Sequence, residues 1–305
     1  MNTPWFVIIN PTAGNGRAEK KWPIIKRELI SQNILFKYRI SKHKTHVISL
    51  VQKALNSGIK KIVSVGGDGT LHQVVNAIMT WDAKKSREIK IAVIPIGTGN
   101  DWVKTYGIPK NIKRAVQLIN LEHSIQQDIG KICFSKKTIY FNNLAGIGFD
   151  GYVVNKIQQY KRLGAFSYII AAIISLLFYK KITLKAVFDN QLINKPSLTL
   201  LIGLCKFSGG GMQLTKDVHP SDGFFDISYI ENVTFLELLM NLRNLFNGKL
   251  AHHHLVKSFK TSYLKVETMN KTRIFVQADG ELLPSENFQV YLLPNALNFV
   301  ISEKS

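Results

Sequence analysis

The most constraining feature of this sequence is a glycine-rich loop that joins a strand-like run to a helix-like run. The strand-like run is Lys61–Val65, the loop reads GGDGTL over residues 66–71, and a helix is predicted from about Thr70 to Met79. Glycine lets the backbone approach a phosphate closely, and a helix N-terminus offers free N–H groups and the positive end of the helix dipole. The loop therefore predicts a phosphate-binding turn in an α/β domain, rather than an ordinary tight turn.

Strand-like and helix-like segments alternate through the first third of the chain. Apolar strands that alternate with helices predict a mostly parallel, doubly wound sheet covered by helices. The other predicted elements are Phe6–Ile9, Ala18–Ser31, Phe36–Ile40, Thr45–Ser57 and Ile91–Ile94. Two more loops follow predicted strands, NPTAGNGR at residues 10–17 and PIGTGND at residues 95–101. Because ligands bind at the carboxyl ends of such strands, all three loops are expected to face one crevice.

The rest of the chain is rich in short strand-like segments. Such segments, joined by turn residues, predict a mainly antiparallel β-sandwich. The predicted strands are Lys131–Phe134, Thr138–Ala145, Thr183–Phe188, Ser197–Leu204, Phe224–Ile230, Ser262–Thr268, Ile274–Ala278 and Phe288–Leu293. Two helical interruptions are predicted, at Tyr160–Tyr179 and Phe235–Phe246. The chain is therefore expected to form two domains, 1–128 and 129–284.

The uncharged run Leu163–Tyr179 raises the question of a membrane span. A spanning helix needs about 20 apolar residues, and this run is shorter and is interrupted by a glycine and two serines. We expect a buried or interfacial helix. Its basic flanks, 161–162 and 180–181, suit anionic headgroups. The alternative is a helix that only covers the sheet, with its lysines solvated.

Composition limits the partners of this chain. Forty Lys and Arg residues against twenty Asp and Glu residues give a net charge of +20, which fits an anionic membrane leaflet, a polyphosphate or a nucleic acid. We see no zinc-finger spacing, RNP-like aromatic motif or basic helix, so a nucleic acid is not expected. Two cysteines, Cys133 and Cys205, exclude a disulfide scaffold. Together with the lack of a signal-peptide pattern, they predict a cytoplasmic protein.

The three loops, taken with four later motifs, resemble the diacylglycerol kinase catalytic-domain family. The nearest resemblance is to bacterial lipid kinases of the YegS type. The later motifs are NN…GIGFD at 142–150, GGGM at 209–212, SDG at 221–223 and DGE at 279–281. The resemblance therefore covers nearly the whole chain, although GGDGT alone also occurs in NAD kinases. It implies an NAD-kinase-like first domain, to which the C-terminal segment, about 285–305, returns.

The resemblance also implies a set of site residues. Residues that match the family's ATP site are Asn10, Ser41, Gly67, Asp68, Gly69, Thr70, Leu71 and Thr98. The family's acidic residues near Mg²⁺–ATP match Asp68, Asp101 and Asp128, and its general base matches Glu281. A structural Mg²⁺ would be held by Asp222 and by the backbone carbonyls of His219 and Phe224. Without the resemblance, Glu281 would be interpreted as a surface turn residue, and Asp222 and Asp279 as residues of Asp-Gly turns.

The expected function is that of an ATP- and Mg²⁺-dependent lipid kinase. It would phosphorylate a free hydroxyl of a membrane lipid, with diacylglycerol, which gives phosphatidic acid, as the first candidate. The basic surface would hold the protein peripherally on an anionic leaflet, and the family precedent allows a homodimer. Two alternatives stay open: an NAD-kinase-like phosphotransferase and a non-catalytic lipid- or nucleotide-binding protein. The adjacent histidines His252–His254 are interpreted as part of a solvated loop.

Overall fold

In the computed structural model, two compact units are distinguished. The first unit is Met1–Asp128 with Pro294–Ser305, and the second is Ile129–Leu293. The structure describes residues 3–43, 45–160, 175, 178–189, 191–234, 236–237, 240, 244–268 and 273–303. The last strand contributes residues to both units, since the division falls within it.

The first unit is built on a parallel sheet covered by helices. Its strands are β1 (Trp5–Ile9), β2 (Phe36–Ile40), β3 (Lys61–Gly66) and β4 (Lys90–Pro95). Its helices are α1 (Arg17–Ser31), α2 (His46–Asn56), α3 (Asp68–Asp82), α4 (Asp101–Thr105) and α5 (Ile112–Leu121), with a short 3₁₀ turn at Ser86–Glu88. The strands pair in the order β2–β1–β3–β4, and residues 298–299 of the last strand pair in parallel with β4.

Burial explains why the apolar runs of this unit become strands. Val7, Val63 and Ile94 are fully buried, and every residue of β1 is buried, because helices cover both faces of a parallel sheet. Helix α1 buries Ala18, Trp22, Ile25 and Leu29, which recur at helical spacing on one face. Each fully buried large apolar side chain contributes roughly 1.5–3 kcal/mol relative to an exposed one.

The second unit is antiparallel. Its strands are β5 (Ser124–Cys133, which begins in the first unit), β6 (Thr138–Phe141), β7 (Leu144–Gly148), β8 (Ile182–Phe188), β9 (Gln191–Ser197), β10 (Thr199–Gly203), β11 (Phe225–Ile230), β12 (Val256–Thr261), β13 (Tyr263–Thr268), β14 (Val276–Ala278), β15 (Glu281–Leu283) and β16 (Phe288–Val300). The helices that the structure describes in this unit are α6 (Phe149–Tyr160) and the short α7 (Asn244–Asn247), and a 3₁₀ turn spans Lys249–His252.

Two layers of strands enclose the core of the second unit. One sheet has the order β12–β11–β10–β7–β14–β15, and the other layer contains β16, β13, β8 and β9 in that order. Buried side chains from both layers form one cluster, in which the rings of Phe141 and Phe225 stack with centroids 5.8 Å apart. The predicted combination of an α/β domain and an antiparallel β-sandwich is confirmed.

Several predicted elements differ from the structure. The single strand predicted at Thr138–Ala145 is two strands, β6 and β7, which lie in different sheets. Strands β9, β12 and β15 were not predicted; β9 and β12 are polar edge strands whose residues are largely exposed. The returning segment was predicted to begin near residue 285. Phe288–Tyr291 instead pairs with β13 in the second unit, and the return begins at Pro294.

The predicted helices at Tyr160–Tyr179 and Phe235–Phe246 fall largely outside the described residues, as does most of the uncharged run Leu163–Tyr179. Among the helices that the structure does describe, none combines the length and the apolar character needed to cross a bilayer.

Gly130 provides a test of the second core. A Cβ added there would lie 2.0 Å from Cε1 of the Phe141 ring, which is fully buried. We expect Gly130→Ala to destabilise the protein by about 2–3 kcal/mol, because the ring must leave its packed position. Gly223→Ala is the matched control in the same unit: its φ of 82° is unfavourable for alanine, but open space surrounds it, so about 1 kcal/mol is expected. Urea unfolding of both variants measures the difference, and equal losses would contradict this account of the core.

Candidate functional site

Three loops meet at the carboxyl ends of β1, β3 and β4. The backbone N–H of Asn10, after β1, donates to the carbonyl of Val65 at 3.1 Å. The N–H of Ile96, after β4, donates to the carbonyl of Gly66 at 2.8 Å. The Asn10 side-chain amide also donates to the hydroxyl of Thr70 at 3.0 Å. The loop arrangement predicted from the parallel sheet is therefore present.

Glycine is required where these loops touch. A Cβ on Gly97 would lie 2.5 Å from the Cα of Gly67, so the two loops approach backbone to backbone. Gly14 has a φ of 62°, and a Cβ there would lie 2.3 Å from the carbonyl oxygen of Ile96. Any side chain at these positions would push the loops apart. The close approach leaves backbone groups, rather than side chains, lining this part of the surface.

Asp68 links the second loop to the third. Its carboxylate accepts hydrogen bonds from the backbone N–H groups of Asp101 at 3.1 Å and Trp102 at 3.3 Å, at the start of α4. A Cβ on Gly99 would lie 3.3 Å from the carboxylate of Asp68 and 3.6 Å from that of Asp101, so both acidic groups border the same glycine. The side chain of Asp101 is 8% exposed and pairs with Lys104 at 2.7 Å. Two carboxylates beside a glycine loop are the oxygen donors that Mg²⁺ prefers.

The remaining predicted residues of the first unit fall at different depths. Ser41 follows β2, is buried, and its N–H donates to the carbonyl of Ile9 at 2.9 Å, next to Asn10. Thr98 is exposed in the third loop, whereas Leu71 is buried inside α3. The structure therefore brings most of the predicted ATP residues to the loop cluster, while Leu71 is a core residue.

Asp128 is fully buried in the first unit. Its carboxylate accepts a hydrogen bond from the backbone N–H of Asn295 at 2.7 Å, and Asn295 has a φ of 50°. The neighbouring Gln127 accepts hydrogen bonds on its side-chain oxygen from Trp102 at 2.9 Å and Tyr106 at 2.8 Å. This part of the unit fixes both the returning segment and the start of α4.

Glu281 lies in the second unit, directly after a two-residue hairpin turn. Asp279 and Gly280 form the turn, with φ values of 49° and 81°, and Ala278 pairs with Glu281 across it. Positive φ at both turn residues is what a tight hairpin between twisted strands requires, and Asp-Gly supplies it. The carboxylate of Asp279 also accepts hydrogen bonds from three consecutive backbone N–H groups, of residues 142, 143 and 144, at 3.0–3.2 Å.

A buried pair of side chains holds the same turn from its other side. The side-chain oxygen of Gln277 accepts a hydrogen bond from the N–H of Gly280 at 2.8 Å, and its amide donates to Asp150 at 2.5 Å. Gln277 and Asp150 are 3% and 6% exposed. Sequence reasoning missed both roles. Asp150 was visible only as the last residue of the GIGFD motif, and nothing in the local sequence marks Gln277.

The residues predicted to bind a structural Mg²⁺ form an acidic corner with one lysine. Asp222 accepts a hydrogen bond from the N–H of Phe224 at 3.0 Å and pairs with Lys260 at 2.6 Å. Its own N–H donates to the carbonyl of His219 at 3.4 Å. Among the described residues, no group of three or more His, Cys, Asp and Glu side chains could hold a metal. Any metal here would therefore be held by one or two carboxylates, completed by backbone oxygens and water.

Asp226 is the part of this corner that the sequence analysis missed. It is 5% exposed on β11, and one of its carboxylate oxygens has no hydrogen-bond partner among the described residues. Burial raises the pKa of Asp226 to about 7, against the opposing effect of Lys260, whose ammonium lies 3.8 Å away. A buried carboxylate oxygen without a partner, close to Asp222, fits a divalent cation with oxygen ligands.

Two family models match this chain. Residues 4–132 match the diacylglycerol kinase catalytic domain, and residues 143–301 match the YegS C-terminal NAD kinase beta sandwich-like domain. The first match contains the three glycine-rich loops, and the second contains the DGE turn and the acidic corner.

Curated relatives agree with the family models along their whole length. A Bacillus subtilis (strain 168) protein named "Putative lipid kinase YtlR" is 27% identical, over 96% of this chain and 98% of the relative. A Staphylococcus aureus (strain MRSA252) protein named diacylglycerol kinase is also 27% identical, over 98% of this chain and 94% of the relative.

Solved structures support the fold. The crystal structure of a diacylglycerol kinase from Bacillus anthracis str. Sterne has a TM-score of 0.75 at 22% identity, and covers 99% of this chain and 98% of its own. A second structure from that organism has a TM-score of 0.79 at 23% identity, with the same coverage. Family models that together cover nearly the whole chain, with relatives of matching length, show that this chain belongs to the diacylglycerol-kinase-like lipid kinases, with a YegS-type second domain.

Proposed function

We propose that this protein transfers the γ-phosphoryl group of Mg²⁺–ATP to a free hydroxyl of a membrane lipid, with diacylglycerol as the first candidate. The observation that supports this most directly is the loop cluster of the first unit, in which backbone groups and the Asp68 and Asp101 carboxylates border one glycine-rich surface. Phosphoryl transfer requires positioning and charge neutralisation more than covalent catalysis, and this cluster offers both.

The nucleotide is assigned to the three loops. Close backbone approach at Gly67 and Gly97 leaves room for phosphate oxygens beside N–H groups, and Asn10 and Thr70 are already joined by a hydrogen bond at the mouth of the second loop. Asp68 and Asp101 are the carboxylates assigned to Mg²⁺, whereas Asp128, which was predicted with them, is fully buried and accepts a hydrogen bond from the N–H of Asn295. When bound, Mg²⁺ neutralises the charge that develops on the transferred group. Asp68 also fixes the start of α4, so it organises the third loop as well.

Glu281 is assigned as the base that accepts the proton of the lipid hydroxyl. In the transfer, a bond forms between the hydroxyl oxygen and the γ-phosphorus, and the bond from that phosphorus to the ADP oxygen breaks. The hydroxyl proton passes to the Glu281 carboxylate, because a neutral alcohol is a poor nucleophile. Asp279 and Gln277 hold the turn before Glu281 through four backbone N–H groups, which restricts the position of the base.

The second Mg²⁺ is assigned to the acidic corner. Asp222, with the carbonyls of His219 and Phe224, would hold it, and the unpartnered oxygen of Asp226 would lie beside it. Such an ion would balance buried negative charge and stabilise the loop between Asp222 and β11; it has no part in the transfer.

The partner surface is assigned to an anionic membrane leaflet. The net charge of +20 supports peripheral association with anionic lipids, and a lipid acceptor must be reached at the bilayer. A homodimer is also compatible with this assignment, on the precedent of the family.

The lipid that accepts the phosphoryl group can be identified directly. With micellar lipids and labelled ATP, we expect transfer to diacylglycerol; monoacylglycerol, a sphingoid base, ceramide and phosphatidylglycerol serve as competing acceptors. NAD is included because the GGDGT loop is shared with NAD kinases. Labelling of NAD instead of a lipid would replace the proposed function, and binding of ATP without transfer to any acceptor would remove Glu281 as the base.

The carboxylates of Asp68 and Glu281 can be tested by substitutions that remove their charge. We expect Asp68→Asn to lower kcat/KM by about 100-fold or more, because the loss of a transition-state charge contact typically costs about 3 kcal/mol. Glu281→Gln should lower kcat by 10²–10⁴-fold, on the order of what general bases contribute, with little change in the KM for ATP. Lys136→Gln, at an exposed position, is the control and should retain activity. Activity of Glu281→Gln near the wild-type level would exclude the assigned role.

The hydrogen bonds by which Gln277 holds the turn before Glu281 can be tested separately. Gln277→Met removes both side-chain hydrogen bonds and should lower kcat by about 10-fold, because Glu281 loses its fixed position while the nucleotide loops are untouched. Gln277→Glu keeps the acceptor for the N–H of Gly280 but places a second carboxylate beside Asp150, so it should also lose activity. Combining it with Asp150→Asn restores a donor to this pair and should restore activity. A rise in the KM for ATP as large as the fall in kcat, or no rescue in the double variant, would indicate that the substitutions disrupt the whole fold instead.

Binding of Mg²⁺ to the acidic corner can be measured in the absence of nucleotide. At about one hundred times its Kd, Mg²⁺ should raise the Tm of the wild type by about 5 °C, by preferential binding to the folded state. Asp222→Asn should abolish this shift, whereas Asp68→Asn should leave it in place. If Asp222→Asn responds to Mg²⁺ like the wild type, the acidic corner does not hold the ion.

A further inference from the structure

The second unit contains a cavity that the proposed reaction does not use. It has a volume of about 560 Å³, within the range of pockets that hold small ligands. Its walls come from two segments, residues 206–219 after β10 and residues 247–252 around the 3₁₀ turn. None of the residues assigned to the nucleotide or to the lipid hydroxyl lines it.

Two lysines and two histidines lie in the lining. Lys206, Lys249, His219 and His252 line the cavity, and Asp217 is the one carboxylate among its lining residues. In the part of the chain that the structure describes, neither lysine has an ion-pair partner. Lys206 contacts the ring of Phe207, and some other lysines of the unit are paired, Lys185 with Glu267 at 2.6 Å for example. Unpaired positive charges on one concave surface attract an anion.

The cavity also offers neutral hydrogen-bonding groups. Thr215 lines it too, but its hydroxyl oxygen is buried against Gly203 of β10 and is not a donor to the cavity. The amides of Gln213 and Asn247 lie in the same lining. Ammonium and amide groups are donors that bind phosphate oxygens in proteins.

Other ligand classes fit this lining less well. An apolar molecule would leave the charged groups desolvated without partners. A metal ion is disfavoured because the two ammonium groups cannot act as ligands and repel a cation. An anion with one or two negative charges and several oxygen acceptors matches both the charge and the donors.

We propose that this cavity binds a phosphate ester, with Lys206 and Lys249 neutralising its charge and the side-chain amides of Gln213 and Asn247 donating to its oxygens. The ester has two sources: a small soluble phosphomonoester, or the phosphodiester headgroup of an anionic lipid. Both present the same oxygens to the cavity. A soluble ester would make the cavity a ligand site for a metabolite, and a headgroup would make it an anchor on the leaflet.

The experiment uses the full-length chain and two double variants with the same change in charge. Lys206→Gln with Lys249→Gln alters the cavity. Lys136→Gln with Lys137→Gln alters two exposed lysines of the same unit that lie in the turn between β5 and β6. Calorimetric titration with inorganic phosphate and with glycerol 3-phosphate tests the soluble ester. Sedimentation with phosphatidylcholine vesicles, with and without phosphatidylglycerol, tests the headgroup.

We expect the cavity variant to bind at least 10-fold more weakly than the wild type in one of the two arms. The control variant should stay within about twofold, because salt screens the attraction between a bound anion and exposed lysines far from it. Phosphate bound by the first unit contributes equally to all three proteins, so the difference belongs to the cavity. A loss confined to titration identifies the soluble ester, and a loss confined to vesicles identifies the headgroup.

Equal binding by the two double variants, or no binding in either arm, would overturn the proposal. A thermal melt confirms that both variants are folded, and the single variants Lys206→Gln and Lys249→Gln give a second test if the double variant unfolds. Neither binding assay measures phosphoryl transfer, so the outcome is independent of the kinase assignment.

Discussion

The first unit depends on a contact between two backbones. Gly67 and Gly97 approach so closely that a Cβ on Gly97 would lie 2.5 Å from the other Cα, directly after the last pair of the β3–β4 ladder, Gly66 and Pro95. Asp68 can then reach the N–H groups at the start of α4, and Asn10 can reach Thr70. The surface that results is lined by backbone, which suits a highly charged ligand because N–H dipoles are fixed before the ligand arrives.

In the second unit, hydrogen bonds restrict the position of one hairpin turn and of the Glu281 carboxylate that follows it. Hairpin turns are exposed and are held only by their own strands unless other groups bond to them. Here Asp279 bonds to three N–H groups at the start of β7, and Gln277 joins Gly280 to the buried Asp150. The turn before Glu281 is therefore tied to two other segments of the unit, which is more than hairpin stability requires.

The sequence predicted the elements whose signal is local. Strands β1 and β3 are buried apolar runs, and their loops were recognised because glycines follow them directly. The break between β6 and β7 was missed, since the residue that bonds to the chain there, Asp279, lies far along the sequence. Strands β9 and β12 are polar edges without an apolar pattern. Gln277 and Asp226 acquire their roles only through burial and tertiary contact, so no reading of neighbouring residues could have identified them.

The last strand has a consequence for the order in which the chain folds during synthesis. Residues from Pro294 onward belong to the first unit: Phe299 is fully buried with its ring 4.6 Å from that of Trp102, and Ser86 donates to the carbonyl of Ala296. The ribosome therefore completes the second unit before it releases the final piece of the first. Until then β4 is an open edge of the sheet. The first unit of the nascent chain stays incompletely packed until residues about two hundred positions further along the sequence have been synthesised.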